Sequence, residues 1–79
     1  MHIGRCKNIG SKLSQDLEAI GIHTHEDLVT RGSLDTLKAL GGGCANRLYA
    51  LEGAIRGMRW HDLDPKIRQD LLEAYKESR

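Results

Sequence analysis

The side chains able to bind a metal are His2, Cys6, His23, His25 and Cys44. Only His23 and His25 lie close together, with Thr24 between them. Structural zinc sites use repeated, tightly spaced ligand pairs, so this set does not specify zinc. Two cysteines also fall short of the disulfide framework of a small secreted domain, and reduced thiols are expected. Cys44 reads as a core residue on a helix face, and Cys6 as a surface or packing thiol. No His-Glu-x-x-His, nucleophile elbow or Walker sequence occurs. Gly41-Gly42-Gly43 runs into Cys44-Ala45, whereas a phosphate-cradling loop ends in Gly-Lys-Ser/Thr. The three glycines read instead as a loop or hinge. No metal, no cofactor and no enzyme activity are expected. A helical chain of this size also offers little room for a ligand pocket, which spans about 300–1,000 Å3.

Binding chemistry has better candidates. Arg56 and Arg59, with Arg47 further up the chain, could contact phosphate or an acidic partner. Glu52 lies four residues before Arg56, the favourable order for a helical ion pair worth about 0.2–0.5 kcal/mol, so a solvated strip is the simpler reading. Tyr49 and Trp60 could stack on bases. Trp60 is the only tryptophan, and a side chain of that size more often anchors a helix junction in a small core.

Charge limits the partners. The chain has 79 residues with 12 Lys and Arg against 11 Asp and Glu, a net charge of +1. Neither half is a basic or an acidic tail, so nucleic acid could be held only through a localised patch. Leu and Ile dominate the apolar residues and Phe is absent. That composition predicts one small domain, 1–79, around an aliphatic core. Apolar runs are too short for a membrane span, and Met1 to Arg5 lacks an apolar signal core. A cytoplasmic protein without membrane contact is expected.

The helical period dominates the elements that must position these residues. Ile9, Leu13, Leu17 and Ile20 step by one helical turn each, with Ser11 or Asn8 as cap and Gly21 as terminator. Thr24 opens a second helix, with Asp27 at capping-box spacing and Leu28 and Val29 as core contacts; Gly32 ends it. Ser33 caps a third, carrying Leu34, Leu37 and Leu40. The fourth and longest runs from about Cys44 to Met58, with Cys44, Leu48, Leu51, Ile55 and Met58 as one stripe. Gly53 and Gly57 lie on another side, where small residues permit close helix approach. Asp64-Pro65 starts a fifth helix with Ile67, Leu71, Leu72 and Tyr75 as its apolar face. No stretch alternates as a strand would, so the fold is read as all-α with five helices.

These segments together resemble the C-terminal domain of the TfoX/Sxy family. The strongest block is Leu48-Tyr49-Ala50-Leu51-Glu52-Gly53-Ala54, followed by Gly57, Trp60 and Leu63. An earlier block is Asn8-Ile9-Gly10, Ile20-Gly21-Ile22, Thr24, Asp27-Leu28 and Gly32. The blocks run in the family's order over about Asn8 to Leu72. The resemblance implies a compact domain of helix-hairpin-helix or SAM-like type, with the hairpin from Leu17 to Leu28. It also implies a regulatory role in bacterial natural competence, beside a cyclic-AMP-dependent activator. Family members often carry a separate N-terminal domain, which this sequence does not include; a stand-alone copy is expected.

Three uses of such a domain follow. The first is contact with a protein partner, such as the transcription machinery or a separate N-terminal-type domain, through the hairpin turn and the strip Glu52, Arg56 and Arg59. The second is direct, weak DNA binding. Hairpin modules offer turn amides at a helix N-terminus to a phosphate. Gly21 and the amides of Ile22, His23, Thr24 and His25 would serve here, with Lys12 adding charge. Against it, His23 stands where such hairpins have a second glycine, and Glu26 and Asp27 crowd the helix start. Gly21 as a plain turn is the favoured reading. The third is a homodimer through the glycine-bearing face of the fourth helix, with helix exchange about the Gly41 to Gly43 hinge.

Overall fold

A computed structural model of the chain describes residues 1–78. The elements are α1 (Ser11–Ala19), α2 (His25–Arg31), α3 (Ser33–Ala39), α4 (Ala45–Arg56) and α5 (Pro65–Glu77). Short 3-10 turns at Ile3–Arg5 and Trp60–Asp62 precede α1 and α5. Among the described residues there is no strand, only an isolated antiparallel bridge between His2 and Thr24. The fold is all-α with five helices, and the α1–α2 hairpin is compatible with helix-hairpin-helix or SAM-like packing.

The core follows the apolar spacing. Leu17, Leu28, Leu37, Leu48 and Leu51 are fully buried, one or two from each of the first four helices, and Ile3 and Ile22 join them. Burial of each such side chain contributes about 1.5–3 kcal/mol. Helix α4 packs against α2, α3, α5 and the Trp60–Asp62 turn, which makes it the central helix. Helix α5 buries no residue completely; it lays Leu71 and Tyr75 against the core from one edge.

Helix ends explain the loops. At the end of α1 the N–H of Gly21 donates to the Glu18 carbonyl and the N–H of Ile22 to that of Leu17. Gly21 has a left-handed φ of 89°, which a side chain would strain. This paired bond pattern recurs at the ends of α3 and α4, through Gly42 to Leu37 and Met58 to Gly53. At the other ends, Thr24 and Asp27 form the expected capping box on α2, and Asp64 caps α5 ahead of Pro65.

Several expectations are corrected. Cys44 is exposed rather than in the core, while Cys6 packs inside it. Cys44 is the N-cap of α4, so the helix starts one residue later and the thiol leaves the apolar stripe. Val29 is 48% exposed, because α2 turns only Leu28 inward. Neither Ser11 nor Asn8 caps α1; Gly10 holds that position. Ser33 lies inside α3 rather than capping it, and its hydroxyl donates to Glu52 at 2.7 Å. The Gly41 to Gly43 segment is the loop between α3 and α4, as read, and it contacts α5. The Gly43 N–H donates to the Tyr75 hydroxyl at 3.2 Å, and a Cβ on Gly42 would lie 2.9 Å from that oxygen.

Candidate functional site

The hairpin turn was the first candidate, and its amides are all engaged within the chain. Ile22 N–H closes α1 on Leu17. His23 and Thr24 N–H both donate to Asp27 Oδ2, at 3.0 and 3.2 Å. His25 N–H donates to the Met1 carbonyl at 2.8 Å, and Ile3 N–H donates to the His23 carbonyl at 2.9 Å. The Asp27 carboxylate therefore occupies the position a phosphate would take at this helix start. The donors from His23 and Thr24 hold the Asp27 carboxyl below its usual range, because hydrogen bonds to the charged form favour it. A second anion there would meet that fixed negative charge.

The charged residues near the hairpin are engaged as well. Lys12 pairs with Asp16 at 3.1 Å. His25 Nε2–H donates to the Ile55 carbonyl at 3.1 Å and ties α2 to α4. His23 is exposed. On α4, the Arg56 guanidinium donates to Glu52 at 2.7 Å. Glu52 also takes the Ser33 hydroxyl, so Arg56 is one end of a three-residue chain of contacts.

Arg59 is different. It is exposed beyond the end of α4 and lines a cavity of about 300 Å3 with Lys7, Asn8 and His61. Its volume lies at the low edge of ligand-sized cavities, in keeping with the little room expected of so small a chain. Among the described residues, no carboxylate lies within ion-pair distance of Lys7, Arg59 or His61.

Asn8 builds this cavity. Its backbone is left-handed at φ 72°, a conformation Asn tolerates better than most residues. Its side chain spans the chain end and the stretch after α4. Nδ2 donates to the Met58 carbonyl at 2.9 Å and reaches the Ala50 carbonyl at 3.4 Å. Oδ1 accepts from the Trp60 N–H at 3.2 Å. Gly53 makes room for it. A Cβ there would lie 2.6 Å from Asn8 Nδ2 and 2.8 Å from the Met58 carbonyl oxygen. Gly53, on the buried side of α4, is therefore covered by Asn8, Met58 and Trp60 of the same chain. Gly57 is the left-handed end of α4, and Gly32 lies between α2 and α3; a Cβ at either would meet open space.

Trp60 is half-buried at the junction of α4 and the following turn. Its indole stacks on Tyr49, with centroids 6.1 Å apart, and on His61 at 3.9 Å. These neighbours take its rings, which leaves the base-stacking reading without support. The same contact places His61 at the cavity.

Among the candidate contact residues read from sequence, only Arg59 lies at this cavity. Lys7 and His61 were missed. Nothing local marks them, since the pocket forms only when Asn8 meets Trp60, 52 residues away. The one available signal was Asn8 itself, a residue that accepts a left-handed backbone next to Gly10 and a lysine.

The fold and this arrangement define a small all-α domain with Lys7, Arg59 and His61 around an open pocket near the end of its central helix. The chain belongs to the TfoX C-terminal domain family, whose pattern matches residues 2–75. Two solved structures are similar. One is an uncharacterized protein from Listeria monocytogenes in a triclinic crystal form, 34% identical with a TM-score of 0.90, covering 98% of this chain and 92% of that one. The other is a protein of unknown function from the same organism in a tetragonal form. It is 34% identical with a TM-score of 0.88, covering 98% of this chain and 99% of that one. Among proteins with curated descriptions, none matches.

Proposed function

We propose that this chain is a non-enzymatic, cytoplasmic binding module that acts by contact with a protein partner in bacterial transcription, with competence control as the setting its family suggests. The observation that carries the reading is the occupied hairpin. Asp27 takes the turn amides that would otherwise hold a DNA phosphate, and a near-neutral chain leaves only a localised patch for nucleic acid. What remains exposed at the turn is Gly21 and His23, with Arg59 on the pocket rim. No helix among the described residues is long and apolar enough to cross a membrane.

The test is anisotropy of a labelled duplex at two salt concentrations, run beside co-purification with the transcription machinery. No duplex binding at micromolar protein, with retention of a transcription component that His23→Glu releases, supports the reading. Duplex binding that weakens steeply with salt and is lost in His23→Glu overturns it.

A further inference from the structure

We propose that Lys7, Arg59 and His61 form a seat for the phosphate dianion of a small phosphomonoester. This goes beyond the protein-contact reading and does not depend on it. Lys7 and Arg59 are far apart in the sequence, yet they line one cavity of about 300 Å3 with Asn8 and His61. No ion pair with a described residue engages either cation. Lys12, Arg56 and Lys66, by contrast, each sit beside a carboxylate one helical turn away. Like charges gathered around an open cavity call for a counter-anion.

The donors set its class. A lysine ammonium, an arginine fork and an imidazole together offer more donors than the two oxygens of a carboxylate can accept. A phosphate monoester carries up to two charges and three free oxygens, which matches them. His61 stacks at the rim on the indole face of Trp60. The supporting backbone is rigid. Asn8 uses both side-chain polar atoms to tie its segment to α4 and to the stretch after it, which brings the backbone at Lys7 and Arg59 together. The size suits a small ester: the cavity is at the low edge of ligand pockets. A duplex would need charges spread along a face, and Lys12 and Arg56 are engaged elsewhere.

The test is a two-dimensional NMR titration of the full chain with inorganic phosphate, phenyl phosphate, acetate and duplex DNA at constant ionic strength. Saturable shifts confined to the signals around Lys7, Asn8, Arg59 and His61 are expected with both phosphates, with acetate weaker by about tenfold. The double variant Lys7→Gln/Arg59→Gln, with an unchanged melting temperature, should lose at least about tenfold in affinity; Lys12→Gln should bind as the parent does. Exposed positions make these variants safe for folding. No saturable shift, equal binding by the double variant, or equal binding of acetate overturns the proposal. So does duplex binding at these residues with neither phosphate bound, which would make the pocket a nucleic-acid contact.

Discussion

Asp27 shows how one side chain decides between two uses of a turn. Its carboxylate accepts from the His23 and Thr24 N–H groups, and its own N–H donates to the Thr24 hydroxyl to complete a capping box. Its carboxyl is held below the usual range by those donors, so the stabilisation is complete above the ordinary carboxylate range and fades as pH falls through the lowered value. Asp27→Asn should therefore be less stable than the parent at neutral pH, and the gap should close in acid. Urea melts of both proteins across that range check it. The cysteines give a second residue-scale expectation. Burial pushes the Cys6 thiol up. Backbone N–H groups at the start of α4, that of Arg47 foremost, pull the exposed Cys44 thiol down. Native protein should alkylate once with iodoacetamide, at Cys44, and twice only after unfolding; peptide mass mapping gives the site.

At the scale of elements, helix ends carried most of what was readable. Thr24, Asp64, Pro65 and the glycine after α1 act locally, so their types and spacing announce them. Gly21→Val forces a β-branched side chain into a left-handed backbone and should cost at least about 1–2 kcal/mol. In a domain this small that lowers the melting temperature by several degrees; calorimetry measures it. The errors have a common cause. Cys44 and Ser33 each sit at a helix start, where shifting the boundary by one residue turns a side chain from core to solvent or from cap to partner. Val29 reads as apolar, but a two-turn helix has room for only one inward Leu.

At the scale of the molecule, the core was legible because helical periodicity repeats within each segment, whereas the pocket was not. Lys7 and Arg59 meet through tertiary contacts that leave no periodic trace. Asn8 is the test of how the two ends are joined. Asn8→Gly keeps the left-handed backbone but loses the side-chain bonds, and should cost about 2–3 kcal/mol. Asn8→Ala should cost about 1–2 kcal/mol more, since it adds backbone strain. Chemical denaturation of the pair separates the two effects; equal stabilities would contradict the strained turn at φ 72°.

The Asn8 bond to the Met58 carbonyl bridges a sequence separation of 50 residues. Closing so long a segment loses chain entropy before any contact repays it, so this joint should belong to the late stages of folding. It also means the pocket has no existence in a partly unfolded chain. Anything bound between Lys7 and Arg59 would be linked to the global unfolding equilibrium rather than to the fraying of one helix. Occupancy should then slow amide exchange throughout the core of α1 to α4 as much as at the rim of the cavity, turning a surface site into a fastener for the whole domain.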